Sequence, residues 1–393
     1  MASKQRENAR IEKKRAKERK TKKFIWIVLI IVIIILIIMR VCEIDFDSLK
    51  DKYTDENGKF TISMTADTDA YPYPVDSSDI INVKPVSDKL LILTSSSLTV
   101  LNPVNAEVVY TASHGYSNPV MSSAGQYICI IDQGTNRLRL DRTSQEVYES
   151  KTDNALLCAD VSKSGTVIYA ARSDENKSSV TVTNSSLKKI ADFEVNDGYV
   201  VCVAIDASGK KCAYATVNSV NAKLVTTIHT FNVGDNGDRA AFDYEDSSVM
   251  DLHYSDSSNL YYVGTNCVSV ISSQKKEKPV FELGTINTEC FNYTKNNELV
   301  IDFTPYSQAN ENSVAYVKSS GKVSTKIDLQ KKVKYLSSSS NEICVLFSDK
   351  VSTYSLTKGN EKGSVSCDDS LTTADKLSSK IFVTRHQLID VMG

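Results

Sequence analysis

The sequence has few of the residues from which recognisable active sites are built. Only four histidines occur in 393 residues, and none has the H-x-H or H-E-x-x-H spacing of a metal site. The nucleophile motif G-x-S-x-G and the glycine-rich phosphate-binding motifs are absent. No C-x-x-C pair indicates zinc or redox chemistry. We therefore expect no bound cofactor, metal or catalytic residue set, and we favour a function other than catalysis.

The positions of the cysteines also indicate packing rather than chemistry. Eight of the nine lie beyond residue 42, and most of these stand within apolar runs such as YICII, VVCVAI and EICVLF. An even number permits disulfides, but a cysteine in such a run behaves as a small hydrophobic residue. We expect mostly unpaired thiols in the core.

A single long apolar run, Phe24–Met39, contains no charged residue and no helix breaker. As a helix it would span roughly 24 Å, and Val41 and Cys42 extend it, so we predict a transmembrane helix over residues 24–42 that contacts the lipid bilayer. The alternatives are a buried core helix, a cleaved signal peptide and a lipoprotein signal ending at Cys42. They fit less well, because all faces of the run are apolar and no small-residue cleavage site follows it.

Basic residues precede this run in large excess. Residues 1–23 contain eleven Lys or Arg and three Glu, which predicts a cytoplasmic tail, with the remainder of the chain outside the cell membrane. We expect the tail to bind anionic lipid at the inner leaflet rather than RNA, since it has no aromatic side chain to stack on bases. The basic residues nearest the membrane are Lys13, Lys14, Arg15, Lys17, Arg19, Lys20, Lys22 and Lys23.

Residues 43–393 have the opposite charge. They contain 34 basic and 45 acidic residues, a net charge of −11. This balance argues against nucleic acid as a partner of the extracytoplasmic part.

After a polar stalk (43–58), one pattern recurs along the chain. A polar turn is followed at once by a short β-branched and aromatic run, and the recurrences are 37 to 48 residues apart. No long stretch of helical periodicity interrupts them. The first apolar residues after the eight turns, here called the anchor residues, are Leu90, Tyr127, Val167, Cys212, Leu260, Leu299, Ile343 and Ile381.

Short strands at this period are typical of a β-propeller, in which each repeat forms one four-stranded blade. We predict an all-β propeller over residues 59–393, preceded by the transmembrane α-helix, with eight blades favoured and seven possible. The last repeat has room for only three strands, and we expect Lys59–Met64 to supply its outer strand. Pro72 and Pro74 predict an irregular connection. A pair of β-sandwiches is the alternative fold.

The turns SKSGTVIYAARS and DASGKKCAYATVN resemble the S-x-D-G-x-x-x-A/Y turns of WD40-like and YVTN-like propeller repeats. The whole layout also resembles an uncharacterised family of single-pass membrane proteins of Gram-positive anaerobic bacteria, whose ectodomain is a domain of unknown function. This resemblance implies the propeller fold and no particular activity. The chain departs from WD40 and quinoprotein repeats in its tryptophan content, because the sole tryptophan is Trp26. That departure argues against a quinone cofactor.

The inner strands of a propeller line its central channel, where ligands commonly bind. Counting seven residues back from each anchor residue, or eight in the fourth repeat, gives one candidate position per blade: Val83, Val120, Asp160, Ala204, His253, Asn292, Leu336 and Ala374. Asp160, His253 and Asn292 are the polar ones with recognition chemistry, and we predict that they are ligand contacts at the channel mouth. The alternative is that they bond to one another or to water.

The favoured function is a membrane-anchored scaffold at the cell surface, whose propeller binds a protein or a cell-wall component. This step rests on the fold. The rival is a lyase or hydrolase acting on glycans or peptides at the channel mouth. A sensor that signals through the helix is a third possibility. A polar pocket with histidine and carboxylates would favour the enzyme, and an apolar face would favour the scaffold.

Overall fold

The computed structural model describes residues 70–75, 79–235, 240–308, 311–377 and 380–392. The predicted tail (1–23), membrane helix (24–42) and stalk (43–58) lie outside these ranges. No helix within the described ranges has the length and apolar character needed to cross a bilayer. The described residues form strands β1 to β33, grouped into eight antiparallel sheets. The predicted eight-bladed propeller is therefore confirmed, and the pair of sandwiches is excluded.

The first four blades use consecutive strands. Blade 1 contains β2 to β5, blade 2 contains β6 to β9, blade 3 contains β10 to β13 and blade 4 contains β14 to β17. Their bounds are Ile80–Val86, Lys89–Thr94, Ser97–Leu101 and Val108–Ser113; Pro119–Ala124, Tyr127–Asp132, Arg137–Arg142 and Gln145–Lys151; Leu156–Val161, Val167–Arg172, Ser178–Thr183 and Lys189–Val195; and Tyr199–Ile205, Lys211–Val220, Lys223–Asn232 and Ala240–Glu245.

Blades 5 to 7 repeat this order, except that the inner strand of blade 6 is divided into β22 and β23. Blade 5 contains β18 to β21, blade 6 contains β22 to β26 and blade 7 contains β27 to β30. Their bounds are Val249–Tyr254, Leu260–Gly264, Val268–Ile271 and Glu277–Phe281; Ile286–Asn287, Phe291–Tyr293, Leu299–Pro305, Asn312–Val317 and Val323–Leu329, with a 3-10 helix at Tyr306–Gln308; and Tyr335–Ser338, Glu342–Leu346, Lys350–Ser355 and Glu361–Ser366.

Blade 8 joins the two ends of the propeller sequence. Strands β31 (Thr373–Leu377), β32 (Lys380–Arg385) and β33 (Leu388–Met392) form its inner part, and β1 (Tyr73–Pro74) pairs with β33 as its outer strand. The prediction that an N-terminal strand completes the last blade is confirmed, but the segment predicted to form that strand was wrong. The position expected for Lys59–Met64 is occupied by Tyr73–Pro74, and Lys59–Met64 itself lies outside the described residues. Proline is tolerated there because an outermost strand needs its N–H groups on one side only.

The core is divided among the contacts between blades. The described residues form eight clusters of buried apolar side chains, one for each pair of neighbouring blades around the ring. One sheet cannot cover both of its own faces, so the blades stabilise one another by stacking. All eight cysteines beyond residue 42 are free thiols, four of them fully buried, as predicted. In Cys129 and Cys344 burial raises the thiol pKa, so these groups are packing residues.

The inner strands all run in the same direction through the channel, because each is the first long strand of its blade. We call the end where they begin the N-side mouth and the end where they finish the C-side mouth. The turns from the first to the second strand of each blade surround the C-side mouth. The turns from the second to the third strand surround the N-side mouth.

Candidate functional site

The three predicted channel residues occupy equivalent positions on their blades. Asp160, His253 and Asn292 each pair with the residue that follows the anchor residue of the neighbouring strand, and Ala204 does the same in blade 4. The equivalence arises because the turns of blades 3, 5 and 6 have the same length, and the one extra residue in the turn of blade 4 is matched by counting eight residues back there. The predicted common register is therefore present in these four blades.

In the other four blades the predicted register was wrong. The residues that match Asp160 are Lys84, Ser123, Ser337 and Asp375, in place of Val83, Val120, Leu336 and Ala374. The cause is turn length: in blade 1, for example, Val86 pairs with Lys89, so only two residues form the turn. A count adjusted to the length of each turn would have selected Lys84 and a second carboxylate, Asp375, from the sequence.

Asp160 lies between three blades and is held by all of them. Its carboxylate accepts hydrogen bonds from the Ser122 hydroxyl at 2.5 Å, from the Val161 N–H at 2.8 Å and from the Ile205 N–H at 3.0 Å. Burial raises its pKa, while these donors and the positive charge of Lys84 oppose the rise. With its oxygens engaged in this way, Asp160 first of all joins blades 2, 3 and 4.

His253 contacts the neighbouring blade through its ring and its edge. The imidazole stacks on Tyr293, with ring centroids 3.8 Å apart, and its Nε2 lies 3.2 Å from the Oδ1 of Asn297. Burial lowers its pKa to about 4, and the Asn297 contact only partly offsets this. The imidazole is therefore neutral at pH 7, with Nε2 protonated so that it donates to the amide oxygen.

Asn292 is likewise bonded to the next blade, where the Ser338 hydroxyl donates to its Oδ1 at 3.3 Å. Within the described residues, no hydrogen bond joins any two of Asp160, His253 and Asn292; each bonds instead to an adjacent blade or turn. They share a layer of the channel, and their role as ligand contacts stays a prediction.

Lys84 occupies the channel position of blade 1, for which the sequence count had selected Val83. Its charge interacts across the channel with Asp160, Asp251 and Asp375, which belong to three other blades. Burial lowers its pKa, and the three carboxylates oppose that change. The side chain nevertheless keeps accessible surface, as expected for one that projects into a hollow channel and is surrounded by protein.

Two of these carboxyl groups have strongly shifted acidity. Burial raises the pKa of Asp251 to about 7, although the Tyr293 hydroxyl donates a 2.8 Å hydrogen bond to it. Burial also raises the pKa of Asp375 to about 7, against the opposing effects of the Tyr335 hydroxyl and Lys84. Each group therefore changes charge near neutral pH.

A polar network spans the C-side mouth. The Lys163 ammonium, on the turn of blade 3, lies 2.9 Å from the Asp256 carboxylate on the turn of blade 5. The Asn297 amide donates to the same carboxylate oxygen at 2.9 Å, and Asn297 in turn contacts His253. These contacts join the turns of blades 3, 5 and 6 on the C-side of the channel.

Apolar side chains surround part of the N-side mouth. They lie near the beginning of the inner strands of blades 1 to 4, and we call them the apolar crescent: Ile81, Val120, Leu157, Tyr199 and Val201. Ile81, Leu157 and Val201 stand at irregularities in the pairing of their strands. A β-bulge turns a side chain away from its regular direction, which explains how apolar residues of inner strands become accessible. This feature was not predicted, because bulges leave no reliable sequence signal.

The sequence and structural comparisons agree with this architecture. A family model described as a family of unknown function (DUF5711) matches residues 63–393. The chain belongs to this family. No curated protein matches its sequence.

Solved structures similar to this DUF5711 member include the C-terminal WD40 domain of Sif2, with a TM-score of 0.56 and 12% identity over 82% of this chain and 97% of that chain. Another is Saccharomyces cerevisiae Sqt1, with a TM-score of 0.54 and 10% identity over 82% of this chain and 98% of that chain. At such identities the likeness establishes the WD40-like propeller fold alone. The resemblance to WD40-like propellers is thus confirmed, whereas the membrane anchor and the bacterial origin stay predictions.

Proposed function

We propose that this protein is a membrane-anchored scaffold whose propeller lies outside the cell and binds a partner protein at the apolar crescent. The observation that supports this best is the exposure of large apolar side chains in the inner strands. Ile81 is 47% exposed, Val120 40%, Tyr199 61% and Val201 46%. Large apolar side chains exposed at one end of a channel are typical of a protein interaction site.

The proposed location follows from the N-terminal sequence. The apolar run Phe24–Met39 would anchor the chain in the bilayer, and the tail residues Lys13 to Lys23 would bind anionic lipid on the cytoplasmic side. Protease protection tests this topology: the chain carries a fluorescent tag before residue 1, and protease is added to intact cells. We expect the propeller to be digested while a tagged N-terminal fragment is protected. Protection of the whole chain in intact cells, with digestion after lysis, would contradict the location.

The scaffold function is tested by charging the crescent. In the full-length protein, Val120→Glu with Val201→Glu introduces two carboxylates beside the channel. The matched control is Val108→Glu with Ile190→Glu, since these valine and isoleucine side chains are 45% and 46% exposed on outer strands. We expect chemical crosslinking in cells to give a partner adduct that the crescent variant loses and the control keeps. An adduct unaffected by both variants, or lost in both, contradicts binding at the crescent.

A second candidate function, a lyase or hydrolase acting on glycans or peptides, has one specific observation in its favour. Asp251 and Asp375, with pKa values of about 7, are suited to general acid–base chemistry near neutral pH. The test is hydrolysis of wall glycan and peptide substrates by the full-length protein. Activity abolished by Asp251→Asn or Asp375→Asn would replace the scaffold proposal with the enzyme.

A further inference from the structure

A cavity lies at the N-side mouth, where the first and last blades meet. Its volume is about 750 Å³. The inner strand of blade 1 forms one wall, and the start of blade 8 and its second turn form the other, with blade 7 contributing one tyrosine. The residues used below are Asp79, Asn82, Tyr335, Thr373, His386 and Gln387. Cavities of this size accommodate small organic ligands or short oligomers.

The lining is polar but almost uncharged. It includes hydroxyl groups, the two carboxamides of Asn82 and Gln387, the imidazole of His386 and one carboxylate, Asp79, and none of the described residues that line it is lysine or arginine. Phosphate and sulfate groups are recognised by cations or by clustered N–H donors, so this lining does not favour an anionic ligand. Ile80 and Ile81 supply an apolar edge. Amphipathic walls of this kind suit a molecule with hydroxyl groups and C–H faces.

Some polar side chains of the cavity already have hydrogen-bond partners within the protein, and others can bond to a ligand. The Thr373 hydroxyl donates to Thr384 at 2.8 Å, and the Tyr335 hydroxyl contacts the Asp375 carboxylate at 3.3 and 3.4 Å. The exposed carboxamides of Asn82 and Gln387, in contrast, make no hydrogen bond to another described residue. Each carboxamide carries two N–H donors and an acceptor oxygen, and both residues line the cavity. Neutral carboxamides pair well with sugar hydroxyl and acetamido groups.

We propose that this cavity binds a neutral oligosaccharide bearing hydroxyl and acetamido groups, through the carboxamides of Asn82 and Gln387. The choice of a glycan rests on the proposed position outside the cell, where such polymers are exposed. The cavity and the apolar crescent are separate sites that share one residue, Ile81.

The test uses the full-length protein in a phosphocholine detergent, because detergents with sugar headgroups would compete for the site. The probes are chitotetraose, its acidic counterpart tetragalacturonate, and the neutral peptide N-acetyl-tetraalanine amide. Titration calorimetry and saturation-transfer NMR measure binding. We expect chitotetraose to bind and the other two to bind at least about tenfold more weakly, since each lacks the matching hydroxyl and acetamido pattern.

Substitutions locate the site. We expect Asn82→Ala with Gln387→Ala to weaken chitotetraose binding about tenfold or more, as the loss of two hydrogen-bonding groups implies. The matched control is Asn341→Ala with Gln126→Ala, which removes two exposed carboxamides from turns at the opposite, C-side mouth. Equal binding by both double variants, no binding of chitotetraose, or preference for the peptide overturns the proposal. If the crescent-dependent adduct persists in any of these cases, the scaffold function stands and only the glycan site is lost.

Discussion

The ring of Tyr71 contacts the ring of Phe382 edge to face, with centroids 5.6 Å apart, across the seam between blades 8 and 1. The Tyr71 hydroxyl also donates to the Pro103 carbonyl of blade 1 at 3.1 Å. This tyrosine therefore ties the first described residues of the chain to both sides of the seam. We expect ring closure to depend on this contact, because β1 contributes only two residues to the last sheet.

We expect Tyr71→Ala to lower the free energy of unfolding by about 3–5 kcal/mol, because it removes a buried aromatic ring. Tyr71→Phe keeps the ring and should cost only about 1 kcal/mol for the lost hydrogen bond. The control is Tyr306→Ala, whose side chain is 57% exposed, with a change within about 0.5 kcal/mol. Urea denaturation of the full-length protein in detergent measures all three. A Tyr71→Ala effect no larger than that of Tyr306→Ala would show that the seam closes without it.

A buried ion pair stabilises blade 2. The Nε of Arg139 lies 2.7 Å from the Asp141 carboxylate, with side chains 6% and 0% exposed. We expect Asp141→Ala to lower the free energy of unfolding by about 3–5 kcal/mol, since it removes the buried carboxylate and leaves the guanidinium only the exposed Glu146 carboxylate, 3.1 Å away, as an anionic partner. The exposed pair Lys163–Asp256 is the control, and Lys163→Ala should cost at most about 1 kcal/mol. Urea denaturation compares the two variants, and similar losses would contradict the role of burial.

The blade pattern could be predicted because each turn-and-strand repeat is local in sequence. The anchor residues of all eight repeats lie at or next to the start of a second strand, as in β7, which begins at Tyr127, and β19, which begins at Leu260. The closing strand could not be found in the same way. Tyr73–Pro74 is too short for any alternation, and its partner Leu388–Met392 lies more than 300 residues later.

The residues of the channel layer could be predicted in only four of the eight blades. The length of the turn after the inner strand decided in which blades the count was right. Asp160 and His253 precede turns of equal length, so counting back from the anchor residue found both. Lys84 and Asp375 precede shorter turns, where a count of seven goes one residue past the aligned position. A slip of one residue exchanges the two faces of a strand, which is why Val83 was selected in place of a lysine.

The acidity of Asp375 predicts a pH dependence of stability. Its pKa is about 7 in the folded protein and 3.8 for an unperturbed group, so the folded state binds more protons between these values. Stability contributed by this carboxyl group is therefore present at low pH and is lost as pH rises toward 7. Asp375→Asn keeps an acceptor for the Tyr335 hydroxyl and removes the titration.

We expect Asp375→Asn to gain stability relative to wild type by roughly 2–4 kcal/mol between pH 5 and pH 8, with no further gain above pH 8. Urea denaturation at pH 5, 6, 7 and 8 measures the difference. Asp153→Asn, at an exposed position outside the channel, is the matched control for the loss of one carboxylate. A flat profile for Asp375→Asn would mean that the carboxyl group is ionised throughout.

His253 should remain neutral over the physiological range, in contrast to an ordinary histidine. Because burial against Tyr293 lowers its pKa from the ordinary value of 6.5 to about 4, the ring gains a proton only as the pH falls toward 4. We expect its NMR signals, assigned by their loss in His253→Gln, to stay constant from pH 5.5 to 8. In concentrated urea the same ring should titrate near 6.5, since unfolding restores its hydration. Titration near 6.5 in the folded protein would place His253 in open water and contradict its contact with the neighbouring blade.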